Sequence, residues 1–165
     1  MNTPCPEKVH ELMQTFHTAM LVTHGGEDSL RARPMEIALA DPDCHVWFFT
    51  GRNSPKTREI RQDQHVLLTF QKDHQKYLSL SGAADLVTDR TMIESLWKEV
   101  YRVWFPDGVN DPDLTLVHII PHHAEYWDNS GTQGVRYLYE AAKAYVTGTK
   151  ADPTEGTQHG HVRLA

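Results

Sequence analysis

The sequence predicts an α+β domain, mainly β, built on an antiparallel sheet or barrel with short helices inserted. Three observations carry that expectation. Segments of strand character, about six of them, recur along the chain and are bounded by Gly-, Pro- and Asp-rich turns. The connections are tight turns or single short helices, not the regular helical crossovers that a doubly wound parallel sheet requires. There is also no GxGxxG or P-loop motif to support a nucleotide-binding parallel fold.

The elements follow in order. Val9, Leu12, Met13 and Phe16 fall on one face of a helix spanning Glu7 to His17. Ala19 to His24 reads as a buried strand, and Gly25-Gly26-Glu27-Asp28-Ser29 as a hairpin loop. The return strand runs from Leu30 to Ala40, where Asp41-Pro42-Asp43 breaks it, and Cys44 to Thr50 is a strand apolar on both faces. Ser54 suits a helix N-cap and Pro55 the first helical position, for a helix ending near Arg61. Val66 to Phe70 and Tyr77 to Val87 are the next strands. Asp89 caps a helix in which Ile93, Trp97, Val100 and Trp104 recur at helical spacing. Leu114 to Trp127 is a long apolar strand, continuing past Pro121, and Val135 to Tyr145 a last helix. Residues 1–147 thus form one domain, and residues 148–165, without apolar period, are expected to be a disordered tail.

Composition narrows the function. The 165 residues carry a net charge of -6, which argues against a nucleic-acid partner, so an anionic ligand must meet a local cluster of cations. No apolar run is long enough to cross a bilayer and the N-terminus lacks the blocks of a signal peptide, so no membrane is expected and a cytoplasmic location is the default. Two cysteines, Cys5 and Cys44, are too few for a disulfide scaffold, and neither belongs to a CxxC pair. The eleven histidines show no HExxH or Cys/His ligand pattern, so no metal site is assigned.

The informative constellation has three parts. Arg31-Ala32-Arg33-Pro34-Met35 opens one strand, Trp47-Phe48-Phe49-Thr50 ends the next, and Ser54-Pro55-Lys56-Thr57-Arg58 opens the helix that follows. Alternation places Arg31 and Arg33 on the same strand face as Met35. The helix start offers unpaired N–H groups and the positive end of a dipole. Lys56 and Arg58 add charge, and Thr50 and Ser54 add hydroxyl groups. Together these make a phosphate cradle in an otherwise acidic protein.

In this order the segments resemble the flavin-binding region of the pyridoxamine-phosphate-oxidase-like split β-barrels. Trp104-Phe105-Pro106-Asp107-Gly108, Asp111-Pro112-Asp113-Leu114 and Glu125-Tyr126-Trp127-Asp128 resemble the branch called general stress protein 26. The resemblance spans roughly residues 7 to 145. It implies a split β-barrel of about six antiparallel strands with short flanking helices. It further implies a homodimer holding FMN (with FAD as the alternative) between its subunits. Arg31, Arg33 and Lys56, with Thr50 and Ser54, would hold the flavin phosphate. The backbone around Pro34-Met35 and Phe49-Thr50 would approach the ring and ribityl chain, and Trp104 and Trp127 would close the pocket, with core packing as the alternative for both tryptophans.

The activity so implied is a stress-related, FMN-dependent oxidoreductase serving a small-molecule electron donor and acceptor. A non-catalytic flavin-binding or sensing protein and a haem-binding split barrel are the alternatives. True pyridoxamine-phosphate oxidases carry a C-terminal Arg-x-His element. Here that region offers Arg136 and the reversed order His161-Val162-Arg163, which argues against vitamin B6 oxidation. No side chain is singled out as a catalytic acid or base.

Overall fold

The computed structural model describes residues 5–130, 132–148 and 159–164. Helix α1 (Glu7–Met13) leads into strand β1 (Thr18–His24), which turns back as β2 (Leu30–Glu36). A two-residue strand β3 (Leu39–Ala40) and β4 (Val46–Gly51) follow, then helix α2 (Pro55–Gln62). The long hairpin of β5 (His65–Lys72) and β6 (Lys76–Val87) comes next. Helix α3 (Arg90–Leu96) and a 3-10 helix at Glu99–Val103 precede the longest strand, β7 (Leu114–Asp128). Helix α4 (Thr132–Thr147) and strand β8 (His159–Arg163) end the chain.

The strands form one curled antiparallel sheet in the order β2-β1-β5-β6-β7-β4-β3, with β8 also on β7. The curl brings β2, at one end of the sheet, up to β4 near the other, as in a split barrel. Pro34 sits on β2, an edge strand that among the described residues pairs only with β1, where its missing N–H breaks no second ladder. The strand expected from Leu30 to Ala40 is interrupted at Ile37-Ala38. There the Ile37 N–H still donates to His17, while the Ala38 N–H donates to Trp47, so the chain changes partner from β1 to β4. This corner starts the closure of the barrel.

Two apolar clusters explain why β4 and β7 are apolar on both faces. Phe48, Val117 and Ile119 point into the barrel with Leu21, Leu68, Leu80 and the α1 residues Val9, Leu12 and Met13. Trp47, Leu114 and Leu116 point outward, against Ile93, Tyr101 and Phe105. Each fully buried aliphatic or aromatic side chain contributes about 1.5–3 kcal/mol of transfer free energy. The outer cluster therefore pins the segment after α3 onto the sheet.

Pro121 is tolerated within the central strand β7 because the ladder is irregular there. The register shifts between Ser81 and Gly82, with His123 opposite Ser81 and Pro121 opposite Gly82. Gly82 is needed at this point: a Cβ there would run into the Ile120 carbonyl and come within 2.6 Å of the Pro121 Cα.

Three expectations are corrected. Helix α1 stops at Met13, and its C-terminal extension toward His17 is a turn whose Phe16 packs on Phe70. The helix expected to carry Ile93, Trp97, Val100 and Trp104 on one face breaks at Trp97, whose backbone is extended. The helical phase is lost there, so Tyr101 and Phe105 are buried while Val100 and Trp104 are exposed. Part of the region expected to be a disordered tail is strand β8. Strand β4 pairs with β7 only as far as Ile119, leaving residues 123–127 an open edge that β8 covers, with Leu164 tucked into the core. Beyond these, Cys5 and Cys44 form a disulfide with Cα atoms 5.1 Å apart, fastening the start of α1 to the β3–β4 turn. Closing a loop of that length is worth about 2–4 kcal/mol by restricting the unfolded chain.

Candidate functional site

Where β2 and β4 approach without pairing, a cleft of about 390 Å³ opens. One wall is Pro34, Met35 and Glu36 of β2; the other is Phe49, Thr50 and Gly51 of β4. Lys56 closes the end at α2, and Tyr101, Trp104 and Phe105 form the roof, with Asp113 at the rim.

The α2 end is built by local chemistry. Ser54 caps the helix, its Oγ accepting from the Thr57 N–H at 3.4 Å, and Pro55 occupies the first turn. The Arg52 N–H donates to the Asp113 carbonyl at 2.6 Å and the Asn53 N–H to the Asp113 carboxylate at 3.2 Å. These bonds tie the loop before α2 to the start of β7. The Thr50 and Ser54 hydroxyl oxygens lie 3.5 Å apart at the mouth of the helix.

The cations behave differently from one another. Arg33 donates to Glu59 at 2.7 Å and also to the Thr23 hydroxyl, and Arg31 donates to Glu59 at 3.1 Å. Thr23 donates in turn to Glu59 at 2.6 Å. Burial pushes the Glu59 carboxyl up, but the hydrogen bonds from Thr23 and Arg33 and the charges of both arginines outweigh it, so the carboxyl ionises below its ordinary range. Lys56 makes no hydrogen bond or ion pair among the described residues. Its pKa is lowered, first by burial and then by the nearby Arg33 charge, with Glu59 partly offsetting both. A half-buried ammonium with no hydrogen-bond acceptor in contact is an unsatisfied arrangement.

Of the residues expected at the site, the cleft therefore gathers Pro34, Met35, Phe49, Thr50, Lys56 and Trp104. Ser54 stands behind Thr50, and Arg31 and Arg33 flank the α2 end, held by Glu59. Trp127 is not among them: it lies toward the far end of β7, its ring stacked 5.1 Å from His159 of β8. Sequence reasoning passed over Glu59, Tyr101, Glu36 and Asp113. Glu59 carried a signal, since a carboxylate on the α2 face beside two core-facing arginines supplies the counter-ion they need. Tyr101 carried none once the helical phase was misread.

The histidines do not assemble a metal centre. Among the described residues no group of three or more His, Cys, Asp or Glu side chains could hold an ion. The nearest association is His45 with His118, whose ring nitrogens lie 3.0 Å apart, and the His118 ring stacks on Trp47 at 3.7 Å. Burial, then the His45 ring, lowers the His118 pKa.

The split barrel and the cleft between its sheet edges define a class, and comparison bears this out: residues 5–152 match the family model described as pyridoxamine 5'-phosphate oxidase like, and the chain belongs to that family. The chain is similar to the general stress FMN/FAD-binding protein of Xanthomonas citri, with 30% identity and a TM-score of 0.66 over 76% of this chain and 89% of that one. A Jannaschia protein grouped with general stress protein 26 shares 26% identity and a TM-score of 0.69, covering 94% and 95% of the two chains. Protein bli-3 of Neurospora crassa is 25% identical over 162 residues, which is 90% of this chain and 77% of the other. Among the described residues no helix is long and apolar enough to cross a membrane.

Proposed function

We propose that this protein binds FMN in the cleft between β2 and β4 and passes electrons or hydride between a small-molecule donor and acceptor. The observation that carries the reading is Lys56: a half-buried cation that makes no hydrogen bond or ion pair among the described residues, facing a cleft of ligand size. The residues fit the cofactor. Lys56 and the Thr50 hydroxyl, with Ser54 behind it, suit its phosphate. Arg31 and Arg33 each hold N–H donors beyond those given to Glu59 and Thr23. Pro34, Met35 and Phe49 offer an apolar wall to a planar ring, and FAD, which shares that ring, is the alternative occupant.

Bound flavin would supply the redox chemistry. The protein's own part is to seat the phosphate at α2, to shield the ring with Phe49, Phe105 and Tyr101, and to leave one side open. Trp104, 61% exposed, lines the cleft there, and Val103, next to it in sequence, is 75% exposed. Exposed apolar groups beside a cleft mark an interaction surface, and the reading includes a homodimer whose second subunit covers the flavin there. Trp127 reaches a flavin only across such an interface.

The test is anaerobic addition of NADH or NADPH to the FMN-loaded protein, followed by an electron acceptor. Bleaching of the flavin band by the nucleotide and its return with acceptor is the expected result. Flavin that binds but stays oxidised would replace the oxidoreductase with a flavin-sensing protein. A Soret band in the purified protein, without flavin absorbance, would replace FMN with haem.

A further inference from the structure

The cleft that holds Lys56 also holds a carboxylate, Asp113, at its rim. A negative charge so placed repels an anionic ligand, so its presence calls for a physical reason. No cation supplies one, since Asp113 is in no ion pair among the described residues. Its Oδ1 accepts instead from the Asn53 backbone N–H at 3.2 Å and from the Asn53 side-chain amide at 3.3 Å.

The carboxylate is fitted into the loop that enters α2. A Cβ at Gly51 would run into the Asp113 Oδ2 and come within 3.3 Å of its Cγ, so a glycine there leaves room for the group. Asp113 is itself held in place: its N–H donates to the Asp111 carboxylate at 3.0 Å, and its carbonyl accepts from the Arg52 N–H at 2.6 Å. On the helix side, the Arg52 carbonyl accepts from the Thr57 hydroxyl at 2.8 Å. The turn at Arg52 and Asn53 is thus clamped between the start of β7 and the first turn of α2. A hydrogen bond from an N–H to a carboxylate is roughly twice as strong as one to a neutral acceptor.

We infer that Asp113 is a positioning residue for the phosphate seat: its carboxylate fixes the Arg52-Asn53 turn and, through it, the start of α2 that carries Ser54 and Lys56. This rests on the flavin reading, which places the phosphate at that end of the cleft. The acceptor oxygen of Asp113 then favours phosphate binding while its charge opposes it, and the two effects can be separated by substitution.

The test is Asp113→Ala and Asp113→Asn in the full chain, each titrated with FMN and with riboflavin. The alanine variant should bind FMN about three- to tenfold more weakly and riboflavin as the wild type does. The asparagine variant keeps a side-chain oxygen for the Asn53 N–H and sheds the charge, so it should bind FMN as tightly as the wild type or more tightly. Unchanged FMN affinity in the alanine variant would overturn the inference while leaving the flavin reading intact. So would an alanine variant that weakens both flavins alike or fails to fold, because the residue would then serve the whole cleft or the fold. An asparagine variant as weak as the alanine one would overturn it too, since the acceptor would not be what matters. Absence of binding by the wild-type protein would remove the flavin reading itself.

Discussion

Lys56→Ala is expected to weaken FMN binding by about 10- to 100-fold while leaving the fold unchanged. A charge-assisted hydrogen bond is worth about 1.5–3 kcal/mol, and each 1.4 kcal/mol is a factor of ten in affinity. The fold is spared because Lys56 bonds to no other described residue, so its removal orphans nothing. The ammonium also gives the affinity a pH dependence. Its pKa is lowered by burial and by Arg33, and only the protonated form attracts phosphate. FMN affinity in the wild type should therefore fall on the alkaline side earlier than an ordinary lysine would allow, and the alanine variant should lack that fall. Fluorescence titrations of both proteins across pH check the magnitude and the sign together.

Glu59→Ala is the substitution with the largest expected effect on stability, about 2–4 kcal/mol. Glu59 is 6% exposed and accepts from Arg33, Arg31 and Thr23. Truncating it leaves the buried Thr23 hydroxyl without its acceptor and the largely buried Arg33 guanidinium without its counter-ion, the costly way to break such a network. Arg31 lies in solvent for more than half of its side chain and adds little. The folded carboxyl has a pKa below its unfolded value of about 4.3. Its contribution is thus complete above that value and is lost as pH falls through the lower folded one. Urea unfolding of wild type and Glu59→Gln should show a shallower acid slope in the variant.

How far the sequence could be read depended on the range of the interactions. Helix α2 was legible because its signals are local: Ser54 caps it and Pro55 starts it within two residues. The apolar character of β4 and β7 was visible too, although the reason for it, a cluster on each face, was not. The change of partner at Ile37-Ala38 was hidden, because nothing in those residues announces where a strand leaves one neighbour for another. The fate of Arg31 and Arg33 was hidden in the same way. Their acceptor Glu59 is remote in sequence, and only the pairing of β1 with β2, with α2 packed beside it, brings the three together. Tyr101 was lost to a single extended residue, Trp97, which shifts the phase of everything after it. Strand β8 was missed because its support is a vacant edge on β7 rather than any apolar period of its own.

One comparison reaches the centre of this account: equilibrium titration of the purified wild-type protein with FMN and with riboflavin, which differ only by the phosphate. Binding of FMN at least about tenfold tighter than riboflavin is the predicted result, since the proposed site sets Lys56 at the head of α2 against the phosphate alone. Equal affinity would contradict the placement of the phosphate at Lys56, and no binding of either would contradict the flavin site in the β2–β4 cleft.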